Sequence, residues 1–169
     1  QAQYTFGDWA GAAGYSSGDA MPGQVDTGPS TPKITDLAGI GDYDWNTTPT
    51  TTLYLNSHQI TTIESNAFNV LTNLFRLDIA YNPITSIESN AFNGLPELFR
   101  LSLPYNQITG IESGTFNGLT KLNILYLDWN RITSVESGDF SGLTNLNRLN
   151  LQSNQITSIE PGDFNGLTN

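Results

Sequence analysis

Few side chains in this 169-residue chain could do covalent or metal chemistry, and their spacing narrows them further. The chain has no cysteine, one histidine (His58), and six basic residues against sixteen acidic ones. Without cysteine there is no thiolate nucleophile, disulfide staple or thiolate metal site. A Ser-His-acid relay would have to use His58, and neither H-E-x-x-H nor a phosphate-cradling G-x-x-x-x-G-K-[ST] occurs. Glu64, Glu88, Glu112, Glu136 and Glu160 recur at one interval. Paired carboxylates can hydrolyse glycosides, but only where a pocket drives their pKa values apart. A single row of monodentate carboxylates also falls short of the oxygens calcium takes, so the row reads as a solvated edge. No catalytic residue, cofactor or metal is expected. Recognition chemistry remains. Arg76, Arg100 and Arg148, half of the basic residues, stand in the register of that interval, and so do Tyr81, Tyr105 and Trp129. Arginines beside aromatics are the composition of interaction hot spots.

A shared register needs a repeating scaffold to hold it. Residues 98–119, LFRLSLPYNQITGIESGTFNGL, return 24 residues earlier from Leu74 and again later from Leu122 and Leu146. A weaker copy precedes them, with Leu53, Leu55, Ile60, Ile63, Phe68 and Leu71 in the matching places. Self-similarity at such a period is the signature of a solenoid, whose units bury their apolar groups only by stacking. Within a unit, Leu101-Ser102-Leu103 alternates as a strand does. A turn follows at the asparagine, then a looser return through Ile108, Ile111, Phe116 and Leu119.

Stacking predicts an aromatic spine of Phe68, Phe92, Phe116, Phe140 and Phe164. It also predicts a ladder of Asn82, Asn106, Asn130 and Asn154 satisfying backbone groups at each turn, with His58 as a terminal variant. Thr52, Arg76, Arg100, Ile124 and Arg148 fall in one outward column of the strands. Tyr54, Asp78, Ser102, Tyr126 and Asn150 form the next, and Ser57, Tyr81, Tyr105, Trp129 and Ser153 lie near the strand ends. Binding on this face is expected to rest on Arg76, Asp78, Tyr81, Arg100, Tyr105, Tyr126, Trp129 and Arg148. Exposed strand positions favour aromatics on their own, so the aromatic stripe has a structural explanation beside the binding one.

The unit L-x-x-L-x-L-x-x-N-x-I-x-x-I-x-x-x-x-F-x-x-L holds through four consecutive copies, with only Ile79 and Val135 changing the aliphatic type. It resembles the 24-residue extracellular form of the leucine-rich repeat. The resemblance implies an α/β-type repeat solenoid: a curved right-handed coil with a parallel β-sheet on its concave face and a mostly irregular or 3-10 convex side. It also implies use in binding proteins or other ligands. Animal extracellular members usually carry cysteine-rich caps, so this chain is more similar to secreted bacterial members without them. Five repeats are assigned to residues 50–169, an N-terminal cap to residues 33–49, and a Gly/Ala/Ser/Pro-rich extension to residues 1–32.

Composition fits an exported, soluble protein. An apolar share of 37% suffices for one domain with a core, and no apolar run approaches the length of a membrane span. Gln1-Ala2-Gln3 reads as a mature terminus after signal cleavage. A net charge of −10 argues against nucleic acid or an anionic membrane as partner. The extension carries Tyr4, Phe6, Trp9 and Tyr15, more aromatics than a solvating tail needs, and Ile34, Leu37, Ile40, Tyr43 and Trp45 are expected to cover the first coil. Asn46-Thr47-Thr48 is the one N-x-S/T sequon, within a Thr/Pro cluster suited to O-linked sugar. The last copy stops at FNGLTN without a polar capping unit, which leaves an apolar face and a strand edge. A second copy's N-terminal aromatics are the natural cover, giving head-to-tail filaments. The expected function is therefore a secreted interaction and structural protein that binds copies of itself. The alternative is a monomeric module that binds a protein or glycan on the concave face.

Overall fold

The computed structural model describes residues 52–69 and 71–169 in full, and residues 24–26 and 33–36 as backbone strands. Two sheets hold the coils together. Strands β1 (Gln24–Asp26), β2 (Lys33–Asp36), β4 (Thr62–Ile63) and β6 (Ser86–Ile87) form one sheet in that order. Strands β3 (Thr52–Tyr54), β5 (Arg76–Asp78), β7 (Arg100–Ser102), β8 (Ile124–Tyr126) and β9 (Arg148–Asn150) form the other, parallel throughout. In that second sheet Leu53 pairs with Leu77, Leu77 with Leu101, Leu101 with Leu125 and Leu125 with Leu149, so one 24-residue repeat is one coil. Each strand is three residues long because only the central Leu and its two outward neighbours alternate; the next inward residue already starts the turn.

Beyond the strands the coils stay bonded through the turn: Leu55 N–H donates to Asp78 O at 2.8 Å and Ser57 N–H to Ala80 O at 3.0 Å. The return leg is a run of i→i+3 turns, such as Ala67 N–H to Glu64 O and Leu71 N–H to Phe68 O, and no helix occurs among the described residues. Gly94, in one of these turns, has φ 85°, and a Cβ there would stand 2.8 Å from the Asn69 backbone of the coil below. The return legs approach too closely for a side chain at that point.

The expected core is present. Phe68, Phe92, Phe116 and Phe140 are fully buried, and the spine runs on to Phe164 with ring centroids 5.8–6.2 Å apart and nearly parallel planes. The asparagine ladder is present too. Asn130 donates through Nδ2 to Leu103 O, Leu127 O and Asp128 O and accepts the Ile108 N–H at 3.1 Å, tying two coils together. His58 is buried at the head of the ladder; its N–H donates to Asn82 Oδ1 at 2.8 Å and its Nδ1 lies 2.7 Å from Asn56 O.

One feature was not expected from the sequence. Strand β2 runs parallel to β4, with Lys33 opposite Thr62 and Ile34 opposite Ile63, and β1 pairs antiparallel with β2. The backbone at 24–26, assigned above to the extension, thus shares a sheet with the repeats. At the other end the last coil keeps the pattern but not the burial: Leu149, Leu151 and Ile156 are only half-buried, and Ile159 is 54% exposed.

Candidate functional site

Five of the eight expected binding residues meet on the concave sheet. Arg76 donates from Nε to Asp78 Oδ2 at 2.9 Å and from Nη2 to the same oxygen, and its guanidinium lies over the Tyr54 ring, 5.2 Å from the centroid. The hydrogen bond to Asp78 leads in holding the Arg76 pKa above its ordinary value, against the opposing effect of burial. On the neighbouring strand Arg100 lies over Tyr126, 5.0 Å from the centroid, with Nε 3.7 Å from Asp78 Oδ1. That distance is an ion pair but too long for a hydrogen bond. Both Arg100 Nε and Asp78 Oδ1 are therefore buried without a hydrogen-bond partner. Arg148 donates to the Tyr126 hydroxyl at 3.3 Å. Arg76 and Arg100 thus share the buried Asp78, Arg100 and Arg148 share Tyr126, and the cluster carries net positive charge on a chain of net charge −10.

The other three expected residues stand apart from the strands. Tyr81, Tyr105 and Trp129 follow β5, β7 and β8 by three residues, in the turn, with φ of 57°, 56° and 55°. Ser57 (62°) and Ser153 (57°) share the conformation at the two ends of the column. A left-handed backbone is costly for bulky residues, so a strand preference for aromatics cannot account for them. The chain satisfies a second left-handed register in the ordinary way: Asn66 and Asn90 at φ 60°, then Gly114, Gly138 and Gly162. Only the rim register carries aromatics. Their rings stack in parallel, Tyr81 on Tyr105 at 4.5 Å and Tyr105 on Trp129 at 5.5 Å. Tyr81 is 58% exposed, Tyr105 42% and Trp129 50%; the middle ring is the most covered. Beside the stack runs an open groove of about 500 Å³ lined by Gln59, Tyr81, Pro83, Tyr105, Gln107 and Trp129, with ladder residues Asn82 and Asn106 in its wall.

The glutamate row has a role the sequence reading missed. Glu88 Oε2 accepts the Ser65 N–H at 3.0 Å and Glu112 Oε2 accepts the Ser89 N–H at 3.1 Å. Exposed as they are, these two carboxylates staple their coils to the ones before them. In the last two coils aspartates close the turn instead: Asp139 accepts the Glu136 N–H at 2.8 Å and Asp163 the Glu160 N–H at 2.6 Å. Burial pushes the Asp139 carboxyl above the ordinary aspartate value, the bond from Glu136 opposing it. Among the described residues no three His, Asp or Glu side chains converge as metal ligands.

A second omission is the exposed Phe75, stacked on Phe99 at 4.9 Å. Its column continues as Asn123 and Asn147, so no aromatic run signalled it. Gly14-Tyr15-Ser16-Ser17-Gly18 has the form G-x-S-x-G, also passed over. It lies outside the described residues and carries no assignment. Tyr4, Phe6, Trp9, Tyr15, Asn46, Thr47 and Thr48 likewise lie outside them.

The leucine rich repeat family model matches residues 48–108, 77–132, 96–156 and 121–169, most of the chain. The chain belongs to the leucine-rich-repeat family. Among solved structures it is similar to an internalin (inlF) from Listeria monocytogenes str. 4b F2365, at 35% identity over 61% of this chain, with a TM-score of 0.49. The match takes in 28% of the internalin, so the chain spans little more than a quarter of that protein. No curated protein matches the chain. Leucine-rich-repeat proteins are in general protein-binding modules rather than catalysts, which is the coarse function this fold and family support.

Proposed function

We propose that this leucine-rich-repeat chain is an exported, non-enzymatic module that binds a protein partner on its concave sheet, centred on Arg100. The observation that carries the reading is the state of that guanidinium. Tyr126 fixes its plane, Asp78 is already hydrogen-bonded by Arg76, and Arg100 Nε has no acceptor. A preorganised, half-buried arginine with unspent donors, walled by aromatics, is the anatomy of a hot spot. Its natural counterpart is a partner carboxylate, which accepts from the two terminal Nη groups in a bidentate fork while the buried Nε stays on the Asp78 side. The test compares capture of partner protein by the wild-type chain and by Arg100→Glu, with Lys121→Glu as a surface control. A specific partner should be lost from Arg100→Glu, by tenfold or more in affinity, and retained by Lys121→Glu. Equal capture by all three sinks the reading.

Head-to-tail self-association is a second reading, favoured by the apolar face of the last coil, where Ile159 and Phe164 are exposed and β9 pairs on one side only. A further coil or a second copy would each cover that face. Sedimentation velocity of the chain, with and without residues 1–31, separates the cases. Assembly that disappears on removal of residues 1–31 while the repeats stay folded supports donation by that segment. A monomer at every concentration refutes it.

A further inference from the structure

We infer that the rim groove beside the Tyr81–Tyr105–Trp129 stack is a second binding site, and that its ligand is a neutral carbohydrate. This inference is independent of the concave-sheet reading and concerns different residues.

Three departures from the repeat coincide on the lining of this one groove. Aromatics occupy the middle of a left-handed turn register that holds Ser57 and Ser153 at its ends, while the left-handed registers of the return leg hold Asn and Gly. Pro83 stands where Gln107, Arg131 and Gln155 each donate a backbone N–H to the coil below, at 2.9 Å in every case, and proline has no N–H to give. The ladder also has a gap at Asn106. Asn82, Asn130 and Asn154 each accept a backbone N–H through Oδ1, from Ile60, Ile108 and Ile132, whereas Asn106 Oδ1 is buried with no partner. Buried polar groups without partners are rare enough to need a reason, and departures from local rules gather at functional sites.

The chemistry of the lining selects the ligand. No lining residue is charged, although the chain has sixteen acidic residues, so neither a polyanion nor a cation finds a counter-charge there. The Gln59 and Gln107 amides, the Tyr81 and Tyr105 hydroxyls and the Trp129 indole N–H make no hydrogen bond among the described residues, and a purely apolar ligand would strand them. Peptide addition by backbone pairing is closed, because the N–H groups of Ser57, Tyr81, Tyr105 and Trp129 are all spent on neighbouring coils. Recognition must therefore come from ring faces and side-chain amides. A pyranose offers the complement: an apolar C–H face for stacking and vicinal hydroxyls that donate and accept in pairs. The inner ring faces cover one another, but serine follows the stack at each end, so no further ring covers the outer faces of the half-exposed Tyr81 and Trp129. One sugar of a chain stacks on the outer face of Tyr81 beside Gln59 and another on the outer face of Trp129, all three residues in the groove wall.

The experiment is affinity electrophoresis of the full chain through gels holding one polysaccharide each: a β-1,4-glucan, a β-1,3-glucan, a xylan or a mannan, with alginate as the anionic control. At least one neutral gel should retard the wild type, and alginate should not. Tyr81→Asn and Trp129→Asn, which place a residue suited to φ near +57° and so keep the fold, should each weaken that retardation by at least tenfold. Lys121→Glu, at a surface residue in neither site, should leave it unchanged. The inference is overturned if no neutral polysaccharide retards the chain, if folded Tyr81→Asn and Trp129→Asn bind as wild type, or if a proline-rich or other peptide proves to occupy the groove.

Discussion

Two aromatic columns run along this solenoid at the same 24-residue step, and the chain treats them in opposite ways. The phenylalanine column packs at 5.8–6.2 Å and is buried in all but its last ring. The rim column packs more closely, at 4.5 and 5.5 Å, yet about half of each ring faces water. Periodicity therefore does not tell a core from a surface site; burial and backbone conformation do. None of the phenylalanines in the buried column has a left-handed backbone. The exposed column occupies a left-handed turn that aromatics satisfy at a cost, and only partial burial offsets that cost.

The largest effect that could break the contrast is in the buried column. Phe116→Ala removes a ring packed between Phe92 and Phe140, and should cost about 3–5 kcal/mol. Because each coil contacts only its neighbours, the loss should spread to both sides and broaden the urea transition. An unchanged unfolding midpoint would show that the spine does not support the fold.

The polar ladder supplies the next comparison. Asn130→Ala strands backbone carbonyls of Leu103 and Leu127 and the Ile108 N–H, at roughly 1–3 kcal/mol for the buried groups left unmade. Asn106→Ala loses similar donor bonds, but no bond at Oδ1, because Asn106 makes none. It should therefore cost less than Asn130→Ala by thermal or chemical unfolding. Equal costs would mean that the Asn106 oxygen has a partner after all, and would remove one of the three departures at the groove.

Asp139 gives a smaller, pH-dependent effect. Its carboxyl sits above the ordinary aspartate value of 3.8, with burial as the main cause. As pH rises past that value the unfolded chain ionises first and the folded state holds more protons. Stability from this group is therefore present at low pH and lost as pH passes the raised folded value. Asp139→Asn keeps an oxygen to accept the Glu136 N–H but removes the ionisation. The variant should gain on the wild type over the pH range that begins at the ordinary aspartate value and rises from it. A difference that is flat across that range would mean that Asp139 titrates normally.

The sequence made the buried half of the molecule legible and left the rim half obscure, for a physical reason. Leu53, Leu77, Leu101 and Leu125, the phenylalanines and the ladder asparagines announce themselves because each does the same thing in every coil. Asp78 and Arg100 could be assigned to adjacent strands by counting, but the sharing of one carboxylate by two arginines depends on rotamers. The glutamate bonds to Ser65 and Ser89 were hidden for a similar cause: they run from a side chain to backbone one coil back, and the spacing alone suggests only repulsion. Tyr81 reads in sequence like one more outward strand position; only its φ shows that the strand has already ended.

The smallest expected effect is the sharpest test of the comparison. Tyr81→Asn removes a large aromatic from the rim column, as Phe116→Ala does from the spine, yet stability should change by no more than about 0.5 kcal/mol. Two opposing terms produce that result. Losing the stack on Tyr105 costs about 0.5–1.5 kcal/mol. Asparagine tolerates the left-handed backbone that the tyrosine occupies at φ 57°, which recovers a similar amount. Matched urea unfolding of Tyr81→Asn and Phe116→Ala, read as the shift in midpoint, makes the comparison direct. A clear stabilisation of Tyr81→Asn would strengthen the case that the rim ring is kept at the expense of the fold. A loss approaching that of Phe116→Ala would make the rim column part of the framework and leave the groove without its main support.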